Sequence, residues 1–103
     1  MERDVSPRAA EALVREGARL VDVREPVELE TEGRFPGAVH VPLGELSQRA
    51  AELEGERLVL ACRSGARSAM AADALRASGW EAYNLDGGIQ AWERDGLPVE
   101  RNT

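Results

Sequence analysis

The segment RLVLA at 57–61 runs without a spacer into CRSGARS at 62–68, and that loop opens into the alanine-rich stretch AMAADALRAS at 69–78. A short apolar run bounded by polar residues fits a strand buried on both faces. The stretch after it, with Met70, Ala74 and Leu75 as its apolar positions and Gly79 where a C-terminal cap belongs, fits a helix. Strand, loop and helix in immediate succession mark half of a parallel crossover unit.

The remaining segments repeat the alternation. Ser6 is a candidate N-cap, Pro7 fits the first helical position, and Ala10, Leu13 and Val14 form a stripe that Gly17 ends. Arg19–Val23 is predicted to be a strand running into Arg24, Glu25 and Pro26, and a polar stretch through Gly33, Pro36 and Gly37 follows. Ala38–Val41 reads as a short strand closed by Pro42, Leu46–Leu53 as a helix, Glu81–Leu85 as a strand, and Gly88–Arg94 as a helix ended by Gly96 and Pro98. The expected fold is α/β, a parallel sheet with helices on both faces. Ligands bind such sheets beyond the carboxyl ends of the strands, which is where Cys62 stands.

With 103 residues the chain is expected to be one domain, 1–103. The N-terminus MERDVSPRAAEALV has no continuous apolar stretch, and nothing in the chain is long and apolar enough for a membrane span, so a cytoplasmic address is the expectation. The net charge of −6 argues against nucleic acid or an acidic membrane surface as partner, so any anion site must be local. All 13 basic residues are arginine, which excludes a lysine nucleophile. One cysteine and one histidine exclude an intramolecular disulfide and a cysteine-rich zinc site, and neither a metal nor an organic cofactor is expected.

The thiol is then either buried filler or chemistry. A free cysteine has a pKa of about 8.5, which a helix N-terminus or adjacent cations bring to roughly 3.5–7.5. Gly65 lets the backbone curl so that loop N–H groups converge on one point. A two-unit drop is about 2.7 kcal/mol, whereas a helix end supplies about 0.3–2 kcal/mol, so Arg63 and Arg67 are expected to supply the remainder. Guanidinium groups also suit oxyanions, because they engage two oxygens at once.

Four blocks carry a resemblance: VDVREPVELE at 21–30, FPGAVHVPL at 35–43, ACRSGARS at 61–68 and GWEAYNLDGGIQAW at 79–92. In this order they resemble the rhodanese domain in its single-domain form. The resemblance implies a five-stranded parallel sheet, a catalytic Cys62 that carries a persulfide, and a substrate-binding loop of Arg63, Ser64, Gly65, Ala66, Arg67 and Ser68. It implies transfer of sulfane sulfur from a small anionic donor such as thiosulfate to an acceptor, whether cyanide, a small thiol or a protein. Gly33–Pro36, GRFP, departs from the GHIP-like stretch common in the family and is expected to alter a surface turn only.

Asp22 and Arg24 are expected to form an ion pair or turn, the alternative being that they orient the loop or touch substrate. His40 reads as a strand-end surface histidine, and Trp80 and Trp92 as packing residues. Asp86, Gly87 and Gly88 are expected to form a turn capping the last helix, the alternative being a second wall of the site. The rival functions are a cysteine phosphatase or arsenate reductase and a non-catalytic sulfur-carrier or binding module. Four residues separate Cys62 from Arg67, one fewer than in the phosphatase loop, which favours sulfur as cargo.

Overall fold

A computed structural model describes residues 2–101. Five parallel strands form one sheet in the order β1-β5-β4-β2-β3, with β1 Asp4–Val5, β2 Arg19–Asp22, β3 Val39–His40, β4 Leu58–Ala61 and β5 Ala82–Leu85. The central strand β4 is buried along its whole length, as its apolar run requires. Side chains alternate between two cores. Leu20, Val59, Ala61 and Leu85 pack with Ala10 and Leu13 of α1 (Pro7–Arg15) and with Ile89 and Trp92 of α5 (Gly88–Arg94). Val21, Val23, Leu58 and Leu60 pack with Leu46 of α3 (Leu46–Arg49) and with Ala71, Ala72 and Leu75 of α4 (Ala66–Ala77).

Two elements depart from the sequence reading by their presence. Strand β1 has two residues and one apolar side chain, Val5, too little for any periodic signal; it adds to the edge of β5, pairing Asp4 with Asn84 and Val5 with Leu85. Helix α2, Pro26–Glu32, lies in what reads as a polar stretch, because it buries a single residue, Leu29. Its signal is in the caps: Pro26 sits at the first turn, and the Glu28 carboxylate accepts the Glu25 N–H at 2.8 Å.

Smaller corrections follow from which face each helix turns inward. The buried face of α4 is Ser68, Ala71, Ala72 and Leu75, so Met70 and Ala74 are exposed, and Val14 of α1 also faces outward. The predicted helix at 46–53 is α3 followed by a 3-10 turn, Ala50–Leu53. Gly33–Pro36 is no surface turn. Phe35 is buried and meets the Trp92 ring edge-on at 5.3 Å, so the family's apolar third position is kept as a core residue. Among the described residues no helix is long and apolar enough to cross a membrane.

Candidate active site

Strand β4 ends at Ala61, and the chain turns at once into the loop that α4 closes. Gly65 caps α4 with φ 103°, a left-handed conformation that side chains rarely adopt. This turn aims the loop inward. The Cys62 sulfur accepts the Gly65 N–H at 3.1 Å and the Ser68 N–H at 3.5 Å, and the Ser68 hydroxyl lies within donating reach at 3.3 Å. Cys62, Gly65 and Ser68 form the buried floor of the loop; Arg63, Ser64 and Ala66 form its exposed rim, with Arg67 half-buried.

Cys62 is only 1% exposed, as a filler thiol would be, but an inert core thiol does not collect three donors. Burial pushes the thiol up, and the Ser68 hydroxyl with the amides of Ser68, Gly65 and Ser64 outweighs it, holding the group below its ordinary value. The two arginines are arranged differently from the expectation. Arg67 makes a two-pronged pair with Glu28 at 2.7 and 2.8 Å, and Arg63 pairs with Glu32 at 3.2 Å. Their charge is spent on α2. Arg67 feels the sulfur after Glu28, whereas the forces that lower the thiol are led by the hydroxyl and the loop amides.

Glu28 and Glu32 were absent from the sequence reading, although Glu25, Glu28 and Glu32 recur at helical spacing on one side of α2. Hydrogen bonds from Arg67 hold the Glu28 carboxyl at about 2, against an ordinary 4.5. Because the folded value is the lower one, the pair stabilises the fold above pH 4.5 and loses that contribution as pH falls toward 2. Glu28→Gln is therefore expected to be less stable than the parent by a constant margin above pH 4.5 and by a shrinking margin below it. Urea denaturation at a series of pH values measures this; a margin that widens in acid would contradict it.

On the other side the loop is held by the start of α5. The Cys62 carbonyl accepts the Ile89 N–H at 2.9 Å, and the Arg63 carbonyl accepts the Gln90 N–H at 3.2 Å. A Cβ at Gly88 would lie 2.5 Å from the Cys62 carbonyl oxygen, so only glycine allows this approach. The Asp86–Gly88 segment is thus both a turn and a wall of the loop, and the cap of α5 is Gly87 without help from the Asp86 side chain.

Beside the loop, Arg24 is fully buried against Asp22, with Nη2 to Oδ2 at 2.7 Å and Nε to Oδ1 at 3.0 Å. Its Nη2 also donates to the Gly33 carbonyl at 2.9 Å, and its guanidinium lies 5.6 Å from the Phe35 ring centre. This is the ion pair that the sequence suggested, and it is too buried to meet a ligand. His40 is half-buried rather than at the surface, its Nε2 2.6 Å from the Arg24 carbonyl oxygen, to which that nitrogen donates. Trp92 is buried in the core, its indole N–H donating to the Pro98 carbonyl, and Trp80 packs at the margin of the other core.

A strand-end thiol ringed by loop amides is a geometry that several families share, and comparison with known proteins separates them. A family model described as the rhodanese-like domain matches residues 6–95. The chain belongs to the rhodanese-like family. This rhodanese-like chain is 42% identical over 86 residues to a protein named sulfurtransferase from Allochromatium vinosum, covering 82% of this chain and 79% of that one. It is 44% identical over 84 residues to the HTH-type transcriptional regulator Rv0324 of Mycobacterium tuberculosis, covering 79% of this chain but only 37% of the regulator. Among solved structures, the rhodanese-related protein from Thermoplasma volcanium aligns with a TM-score of 0.85 at 30% identity, over 95% of this chain and 97% of that one. The five-stranded parallel sheet is therefore that of rhodanese-like domains, and sulfur transfer is supported at the level of the family.

Proposed function

We propose that residues 1–103 act as one sulfurtransferase domain that moves sulfane sulfur through a persulfide on Cys62. The convergence of the Gly65 and Ser68 amides on the Cys62 sulfur, with the Ser68 hydroxyl within reach, carries this reading, because it favours a thiolate in a buried setting. With thiosulfate as donor, the thiolate attacks the outer sulfur, a new S–S bond forms, the old one breaks, and sulfite leaves with the electron pair. No proton moves. The product carries its negative charge on the outer sulfur, and the loop amides are the groups positioned to receive it. An acceptor nucleophile, whether cyanide, a thiol or a protein thiol, then takes that sulfur and returns Cys62 as thiolate.

The Arg67–Glu28 pair supports sulfur over phosphate as cargo. A phosphatase loop uses its arginine to chelate two phosphate oxygens, and here both prongs are engaged by Glu28. Arg67 acts as a strut between α4 and α2, which leaves the anion to the loop amides. The A. vinosum relative named sulfurtransferase supports the same choice. The chain is expected to form thiocyanate from thiosulfate and cyanide and to leave aryl phosphates intact. Aryl phosphate hydrolysis that disappears in Cys62→Ser would reverse the assignment.

A further inference from the structure

Ser68 is fully buried, and its single hydroxyl proton has two acceptors within reach. Its Oγ lies 3.3 Å from the Cys62 sulfur and 2.5 Å from Asn84 Oδ1. The amide of Asn84 cannot turn over to relieve this competition, because its Nδ2 donates to Asp4 Oδ1 at 2.9 Å and a carboxylate only accepts. Asp4 is in turn held by Arg3 at 3.0 and 3.1 Å, which keeps its carboxyl below the ordinary carboxylate value. Asn84 thus presents a fixed acceptor to Ser68. It is 2% exposed, in the middle of an otherwise apolar strand, and has no other task visible in the fold.

The count of protons then differs among three states of Cys62. With a neutral thiol, S–H donates to Ser68 and Ser68 donates to Asn84, and every group is satisfied. With a bare thiolate, Ser68 serves either the sulfur or Asn84, and the other acceptor goes without. With a persulfide, the inner sulfur is neutral and a weak acceptor, the charge sits on the outer sulfur, and Ser68 again serves Asn84. We propose that Asn84, aimed by Asp4, is a positioning residue that draws the Ser68 proton away from Cys62 and so favours the sulfur-loaded protein over the bare thiolate. The N-terminal strand β1 thereby acts on a sulfur that it never touches.

This inference rests on Cys62 as the nucleophile, and its test reads the thiolate whether or not sulfur is transferred, so the two can fail separately. The rate of Cys62 alkylation by iodoacetamide is measured against pH for the parent, Asn84→Leu, Asp4→Ala and the double variant. In Asn84→Leu the Ser68 proton has no other taker; in Asp4→Ala the amide is free to turn and donate to Ser68. Both are expected to move the alkylation midpoint to lower pH and to raise the rate below the parent midpoint by about tenfold, the worth of one hydrogen bond to a charged group. The double variant is expected to add nothing further, because both changes release the same proton.

Arg67 is the charged group that acts on the sulfur, Glu25 and Glu28 are the carboxylates that act on Arg67, and Arg63 is paired with Glu32; all are unchanged in these variants. Asp4→Asn controls for the lost charge, since it keeps an acceptor for Asn84 and is expected to stay near the parent midpoint. Simple loosening of the loop would remove donors from the sulfur and raise the midpoint, the opposite sign. An unmoved or raised midpoint in Asp4→Ala, whose side chain is partly exposed on an edge strand, would overturn the proposal even if Asn84→Leu failed to fold. An equal shift in Asp4→Asn would assign the effect to charge and overturn it as well.

Discussion

Cys62→Ser is expected to lower the rate of sulfur transfer by at least roughly a thousandfold while leaving the fold in place. A serine hydroxyl is far from ionised near neutral pH, so the Gly65 and Ser68 donors that stabilise a thiolate have no anion to act on. It cannot form a persulfide in its place. The replacement is nearly isosteric, and an oxygen accepts the same N–H and O–H groups as well as a sulfur does, so stability should change by only about 1 kcal/mol. Thiocyanate formation and thermal melting, measured on the same preparation, separate the two effects. An active Cys62→Ser protein would remove the basis of the proposed chemistry.

Arg24→Met has the opposite profile, with stability as its main readout. The guanidinium is fully buried, and its removal leaves the Asp22 carboxylate, 2% exposed, with the Arg24 backbone N–H at 3.1 Å as its remaining hydrogen bond. Breaking a buried pair from one side costs about 3–5 kcal/mol, a large part of the roughly 5–15 kcal/mol that holds a domain together. The Gly33 carbonyl loses a donor as well, and Phe35 loses the cation beside its ring. The double variant Asp22→Leu/Arg24→Met removes both charges and is expected to be more stable than Arg24→Met alone. Urea denaturation of the three proteins tests this. Equal stabilities for the single and double variants would show that the charge left on Asp22 is not what destabilises the single one.

The parts of this molecule that the sequence made legible share a physical property: their signal is local. RLVLA declares a buried strand, Gly79 ends a helix, and Cys62 falls at the junction because the apolar run stops there. The strand at 19–22 and the helix at 88–94 were readable for the same reason. Strand β1 was not, since two residues carry no period and their pairing with β5 lies about eighty positions away in the chain. Helix α2 was hidden by its own composition, because a helix that buries only Leu29 has no apolar stripe to detect.

The loop shows the same division. Gly65 and the position of the thiol were legible, whereas the fate of the arginine charges was not, because Glu28 and Glu32 reach the loop through tertiary packing. Positive residues beside a thiol suggested direct electrostatic help; the structure assigns that help to the loop amides and to the Ser68 hydroxyl, for which Asn84 competes, and gives Arg67 a bracing role. The identity of Phe35 as a core residue likewise depends on Trp92, which lies on the last helix.

The central claim is that the Cys62 sulfur receives and holds a second sulfur atom. Intact-mass measurement after incubation with thiosulfate, or with a small-molecule persulfide, tests it without dependence on any acceptor. The account expects an addition of about 32 Da that maps to Cys62, is removed by cyanide or a reducing thiol, and is absent from Cys62→Ser. A protein that is folded, carries a free thiol and gains no mass from either donor would contradict it.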